Sequence, residues 1–247
     1  MKRIAIIGGT GSQVLLKGRR PTALPLTEGR WGRASAELLR WEQGALEVVF
    51  LARHGGNGGI APHRVNYRAN IDALREVAPQ AVIAVNAVGG ITSAARPGRI
   101  VLPDQLIDYT WGRDHTFFDG EAAPLRHVEF DPPFGPVRQQ LAAAASSAGV
   151  DVLTRGTYGC TQGPRLETAA EIDRLALDGC DVVGMTGMPE AALAREAGLD
   201  YAICALVVNP AAGRLSGNGS IHAEISRHLD IAGAGLQRLL GAFCSEF

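Results

Sequence analysis

Arg53 and His54 stand side by side in "LARHGG" (51–56), directly after an apolar run and directly before two glycines. A guanidinium and an imidazole at a strand end can converge on an anion, the guanidinium through paired N–H groups. The same two residues also suit a solvated charge pair. "IIGGTG" (6–11) sets Thr10 in a Gly-rich turn behind another apolar run, where backbone N–H groups can be aimed at a phosphate-like group. It is neither a dinucleotide fingerprint, because Val14 stands where the last glycine belongs, nor a P-loop, because no Gly-Lys-Ser/Thr follows. "VNAVGGI" (85–91) closes a third run with small residues around Ala87, so its backbone can lie close to a ligand. "GMTGMPEAALARE" (184–196) carries Met185 and Thr186 into a helix that opens at Pro189; Thr186 offers a hydroxyl and an N–H there. Glu190 reads as an acid favouring that helix N-terminus and Glu196 as a solvated one. "ICALVVNPAAG" (203–213) ends six apolar residues on the carboxamide of Asn209, which is either an Asn-Pro strand exit or a hydrogen-bonding group held at a strand end.

The elements that must hold these residues follow from the hydrophobic pattern. Apolar runs at 3–7, 47–52, 81–85, 99–102, 181–185 and 201–208 are rich in Val and Ile and do not alternate strictly, so they predict strands buried on both faces. Helical spacing covers 66–77 and 167–178, the latter ending at Gly179. A further helix runs from Pro189 to Gly198. A closing helix over 221–243 places Ile225, Leu229, Ala232, Leu236, Leu239 and Phe243 on one stripe. The segments 113–126 and 214–220 read as loops. The expectation is one α/β domain over 1–247 with a mixed central β-sheet flanked by helices. Ligand-ready residues at four strand ends point to one crevice, where open α/β sheets bind.

Composition narrows the function classes. In 247 residues, 46% are hydrophobic and the net charge is −1, which favours a sizeable core over a nucleic-acid or membrane surface. The apolar stretch after the basic start is too short for a signal peptide, and no run approaches a membrane span. Cys160, Cys180, Cys204 and Cys244 are widely spaced with no CxxC pair, which argues against a zinc site or a disulfide framework. The expected location is cytoplasmic.

Taken in order, "IIGGTG", "LARHG", "VNYRANIDAL", "VNAVGG", "TQGPRLET" and "GMTGMPEAALARE" resemble the trimeric purine nucleoside phosphorylase family, and within it the methylthioadenosine phosphorylase branch. The resemblance spans nearly the whole chain. It implies phosphorolysis of a purine nucleoside to free base and ribose 1-phosphate, with phosphate as co-substrate and no metal or organic cofactor. It implies a phosphate site of Thr10, Arg53, His54, the Ala87 backbone and Thr186. It places the Met185 backbone on the ribose hydroxyls, Leu166 on the base, and Glu167 and Asn209 on the purine edge. It also implies a homotrimer, or trimers stacked as a hexamer, with His127 reaching a neighbour's 5′ pocket.

Two positions depart from the adenine-specific pattern of that branch. Relatives with that preference carry Asp at the Asn209 position and again two residues on, where this chain has Ala211, and Ser at the Glu167 position. An amide donates to the O6 of a 6-oxopurine, whereas a carboxylate meets it lone pair to lone pair. Glu167 can accept the N1 proton that adenine lacks. The expected substrate is therefore S-methyl-5′-thioinosine, with methylthioadenosine or inosine and guanosine as alternatives. The 5′ group stays open, because His222 falls at or near a position where hydroxyl-accepting relatives have His. Other classes fit less well. A nucleoside hydrolase has no use for an anion grip, and a nicotinamide dehydrogenase needs the missing glycine fingerprint. A non-catalytic purine-binding module would be separated by one assay with phosphate.

Overall fold

The Val- and Ile-rich runs form strands covered on both faces, the environment of a parallel sheet between helices. The computed structural model describes residues 1–25, 28–121, 123–214 and 221–247, the last without the side chains of 221–224. The strands are β1 (Lys2–Gly8), β2 (Thr22–Leu24), β3 (Leu38–Gln43), β4 (Leu46–Ala52), β5 (Ala81–Gly90) and β6 (Ile100–Val101). They continue with β7 (Gln105–Asp108), β8 (Val152–Leu153), β9 (Thr157–Cys160), β10 (Val182–Gly184) and β11 (Tyr201–Pro210). The helices are α1 (Tyr67–Glu76), α2 (Pro136–Ser147), α3 (Ala169–Leu177), α4 (Gly187–Glu196) and α5 (Ile221–Glu246).

The expected mixed sheet is present, in one domain. β4, β1 and β5 run parallel as neighbours, and β11 lies parallel to β5 along most of its length. The other edge of β5 is shared. Residues 81–85 pair with β1, and Gly89 and Gly90 pair antiparallel with β10, which leads on to β9 and β7. The sheet therefore forks along β5, and the fork opens at residues 86–88. One face buries α2 and α5 through Val137, Leu141, Ala232, Leu236, Leu239 and Phe243. The other buries α1 and α4 through Ile71, Leu74, Ala191 and Leu193.

Local signals fix the helix ends. The Asn66 side chain accepts the Ala69 N–H and starts α1. Thr168 and Glu171 form a capping box on α3, and Gly179 follows its end at φ 89. Because Thr168 is the cap, α3 starts later than 167, and Glu167 is left in the preceding loop. The predicted strand 81–85 is longer than expected, running on to Gly90. β2, β3, β7, β8, β9 and α2 were not expected. β3 buries Leu38 and Trp41 at an odd spacing, with Arg40 and Glu42 exposed between and after them, and α2 is Ala-rich with a weak apolar stripe, so neither carries a strong periodic signal. The described residues of segment 113–126 form a loop as expected, whereas 215–220 lie outside the described residues.

Candidate active site

A cleft of about 690 Å³ opens at the carboxyl ends of β1, β4, β5, β10 and β11. Its floor begins at the Gly-rich turn. Gly9 donates its N–H to the Val85 carbonyl at 3.1 Å, and Arg53 donates its N–H to Gly8 at 2.9 Å, so both turns extend the ladder beyond the strands. A Cβ on Gly9 would sit 2.6 Å from Arg53 Nη1 and from the Val85 oxygen, so only glycine lets this turn cross the arginine. Gly11 has φ 86, and a Cβ there would meet Leu229 of α5 at 2.5 Å. Thr10 lines the cleft above them and is exposed to it.

Arg53 lines the cleft, yet it is fully buried and already gripped. Its Nε and Nη2 donate to the two Glu190 oxygens at 2.6 and 2.8 Å, and Nη1 donates to the Val85 carbonyl at 3.0 Å. Tyr201 donates its hydroxyl to Glu190 at 2.9 Å. Burial works to lower the Arg53 pKa, but the Glu190 carboxylate more than offsets it and holds it above the ordinary value. Burial and then Glu190 push the Tyr201 phenol well up. The reading of Glu190 as a simple helix-start acid is corrected: it is 0% exposed and serves Arg53. Glu196 is not a solvated acid either. It accepts Thr116 Oγ1 and the Phe117 N–H, both at 2.7 Å, and so pins the loop after Arg113.

His54 faces the cleft beside Arg53. Its Nδ1 lies 2.8 Å from the Ile60 carbonyl, and since a carbonyl only accepts, Nδ1 carries the proton. Burial first, then the Arg53 charge, lower its pKa below 6.5, against the opposing pull of that carbonyl. The imidazole is thus neutral at pH 7. Asn86, buried within β5, donates to Thr186 Oγ1 at 2.8 Å and accepts from Arg53 Nη2 at 3.4 Å. It ties together residues from β4 and from the start of α4. Ala87 lines the cleft one residue further on, and Thr186 stands at the N-cap of α4, 6% exposed.

The opposite part of the cleft carries the residues expected to read a base. Glu167 Oε1 accepts the Thr161 hydroxyl at 2.6 Å, and among the described residues Oε2 has no hydrogen-bond partner. Asn209 is 7% exposed, placed just after a register shift between β11 and β5. Its Nδ2 donates to the Pro210 carbonyl at 2.6 Å, which fixes the amide orientation and leaves a second N–H. Ala211 is buried against Gly89, and Leu166, 49% exposed, forms part of the rim. Met185 lines the cleft between the two parts. Leu16, Leu39, Phe50 and Ile225 add apolar wall. The His222 side chain lies outside the described residues. His127 is exposed and does not line the cleft of its own chain.

The structure therefore brings Thr10, Arg53, His54, Ala87, Thr186, Met185, Leu166, Glu167, Asn209 and Ala211 to one cleft. Sequence reasoning missed Asn86 as a connector, though a lone amide inside an apolar strand was a visible signal. It also missed Arg113, which nothing in its loop distinguished. Among the described residues, no three His, Cys, Asp or Glu side chains gather so as to hold a metal ion, and no helix is long and apolar enough to cross a membrane.

Residues 3–245 match the Phosphorylase superfamily. The chain is 52% identical over 211 residues to a "Probable S-methyl-5'-thioinosine phosphorylase" of Pseudomonas syringae pv. tomato, covering 85% of each chain. It is 46% identical over 239 residues to a protein of the same name from Xanthomonas campestris pv. campestris, covering 96% of this chain and 95% of that one. A "6-oxopurine nucleoside phosphorylase" of Pyrococcus furiosus is 44% identical over 232 residues, covering 91% of this chain and 85% of that one. Among solved structures, the methylthioadenosine phosphorylase of Schistosoma mansoni in complex with adenine superposes with a TM-score of 0.90 at 28% identity, covering 99% of this chain and 91% of that one.

Proposed function

Because the chain belongs to the phosphorylase superfamily over nearly its whole length, we propose that its cleft joins a purine nucleoside to phosphate and splits the glycosidic bond, with S-methyl-5′-thioinosine as the preferred nucleoside. The observation that carries this reading is the pairing, in one cleft, of an anion end built on Thr10, Arg53, His54 and Thr186 with a purine-reading end built on Glu167 and Asn209.

Phosphate held at the first end attacks the anomeric carbon as the bond to the purine nitrogen breaks. The bonding pair leaves with the base, which becomes anionic. Holding both reactants in one cleft contributes part of the roughly 7–11 kcal/mol available from orientation in ideal cases. The remaining Asn209 N–H donates to the departing base where its charge grows. Glu167 Oε2 accepts the N1 proton of a 6-oxopurine, and the Thr161 hydroxyl holds the carboxylate in place. The purine anion takes up the proton that the bound phosphate gives up on forming the ester, and the products are the free purine and the sugar 1-phosphate.

Asn209 and Ala211 supply no carboxylate pair for an adenine amino group, which favours the 6-oxopurine. Leu16, Leu39, Phe50 and Ile225 offer an apolar wall, which favours a methylthio group over a hydroxyl at the 5′ position. A second reading, inosine or guanosine as substrate, is favoured by the 44% identity to the 6-oxopurine enzyme. The working unit under this proposal is a homotrimer, alone or stacked as a hexamer. His127 and the 71%-exposed Leu125 lie in one loop free to meet a neighbouring chain. A panel of methylthioinosine, methylthioadenosine, inosine, guanosine and adenosine, each with and without phosphate, tests the reading. Phosphate-dependent release of hypoxanthine from methylthioinosine is expected. Base release without phosphate, or a preference for methylthioadenosine, overturns it. Light scattering at assay concentration should give a trimer or hexamer and not an active monomer.

A further inference from the structure

Arg113 is 8% exposed, and its N–H groups go to uncharged oxygens. Nη1 donates to the Met185 and Met188 carbonyls at 3.0 and 2.6 Å. Nη2 donates to the Gln162 carbonyl at 2.9 Å and, more weakly, to that of Thr161 at 3.4 Å. Nε donates to Gln162 Oε1 at 3.1 Å, and the guanidinium lies 5.5 Å from the Tyr67 ring centre. Among the described residues, none of these partners is a carboxylate. A fixed cation that is buried in this way is costly unless its donors are matched, and here one planar fork matches them on two separate segments.

Those segments leave the adjacent parallel strands β9 and β10 and lead into the cleft lining, the first to Leu166 and Glu167 and the second to Met185 and Thr186. Thr161 holds Glu167 through its hydroxyl and donates its own N–H to Gly184 at 2.8 Å. Met185 and Thr186 form the other wall, and Met188 is further fixed by its N–H on Cys160 Sγ at 3.2 Å. From this geometry we infer that Arg113 is a positioning residue that sets the spacing between the wall reading the base and the wall holding sugar and phosphate. It touches neither reactant. It fixes the relative placement of the two ends, on which attack at the anomeric carbon depends. A misplacement of about 1 Å by a remote residue costs on the order of 10²-fold in rate.

The inference rests on the proposed phosphorylase reading, and the test separates the two. Lysine at 113 keeps the charge but has no rigid fork to span both segments. In Arg113→Lys, kcat with methylthioinosine and phosphate should fall by about 10²-fold. Hypoxanthine alone and sulfate alone each need only one wall, so their dissociation constants should stay within about threefold of wild type. In wild type each ligand should tighten the other, and in the variant that mutual effect should vanish, since coupling between two sites is reciprocal. A purely structural role would weaken both single ligands or lower the melting temperature without abolishing the coupling selectively. Gln162→Ala, which removes the Nε anchor together with the acceptor of the Trp111 N–H from a half-buried loop side chain, should move kcat and coupling in the same direction by less. If Arg113→Lys does not fold, Gln162→Ala decides. Unchanged kcat and coupling in whichever variant folds, beside an active wild type, overturns the positioning role. A wild type without phosphate-dependent turnover overturns the phosphorylase reading instead.

Discussion

Replacing Glu190 by Gln isolates the charge pair beneath the anion end. The side chain keeps its shape, but Arg53 loses the counter-charge that it contacts through two N–H groups at 2.6 and 2.8 Å, and both residues are wholly buried. Two unit charges about 4 Å apart attract by about 4 kcal/mol at an effective dielectric of 20. Removing one partner of a buried pair costs about 3–5 kcal/mol, because the other charge stays behind without compensation. At about 2–4 °C per kcal/mol for a domain of this size, Glu190→Gln should melt roughly 6–20 °C below wild type. The orphaned Arg53 then turns wholly to any anion in the cleft. Phosphate or sulfate should therefore raise the melting temperature of the variant by clearly more than that of wild type, and the KM for phosphate should fall even as kcat drops. Differential scanning fluorimetry over a sulfate series, with steady-state kinetics, reads both effects. A variant that melts within about 2 °C of wild type and responds equally to sulfate refutes the idea that Glu190 competes with the anion for Arg53.

Asn209→Asp should cut turnover of methylthioinosine by about a hundred- to thousand-fold, since losing a transition-state donor costs about 2.7–4 kcal/mol. It should also improve the relative specificity for methylthioadenosine, and an unchanged ratio in a folded variant counts against the donor role. Sulfate affinity should rise as pH falls below about 6.5. The free-protein pKa of His54 is lowered and a bound anion raises it, so binding takes up a proton, by at most roughly tenfold per pH unit for one proton. His54→Gln should flatten that dependence, and isothermal titration from pH 7.5 to 5 reads it. Because the folded pKa is the depressed one, His54 also makes the protein less stable as pH falls through the unfolded value near 6.5. Ile225→Ser should lower kcat/KM for methylthioinosine about tenfold against inosine, the low end of the discrimination an apolar contact gives. His222→Met should weaken inosine relative to methylthioinosine if that imidazole meets the 5′ hydroxyl, and an unmoved ratio favours the methylthio substrate.

The legible part of this molecule was the part whose residues answer to one demand at a time. β1, β4, β5 and β11 are buried on both faces, so their apolar runs stood out, and the residues that end them were visible as departures from those runs. Arg53 and Asn209 fall in that set, and Thr186 follows the short buried run of β10 in the same way. Glu167 was legible by resemblance alone, and its carboxylate owes its orientation to Thr161, which lies six residues away. Glu190 was misread because a glutamate in the first turn of a helix has a sufficient local explanation. Its partner is Arg53, 137 residues distant, and no local pattern encodes such a pair. Arg113 is the extreme case, a loop arginine whose meaning lies wholly in the carbonyls that surround it. Strand β3 and Ala-rich α2 were missed because half-solvated polar positions dilute a two- or four-residue period.

The fork along β5 has a kinetic corollary. Gly9, Arg53, Asn86, Thr186 and Asn209 lie on or just beyond five different strands spread over most of the chain, and parallel neighbours cannot be joined by a hairpin. Thr10, Arg53 and His54 of the anion end lie far along the chain from Glu167 and Asn209 of the base end. The pairings that create the cleft are of the long-range kind that close slowly during folding. A phosphate or purine ligand thus meets no docking place until β1, β5 and β11 are zipped together. Such a ligand should leave the refolding rate nearly untouched and act almost entirely by lengthening the lifetime of the folded chain.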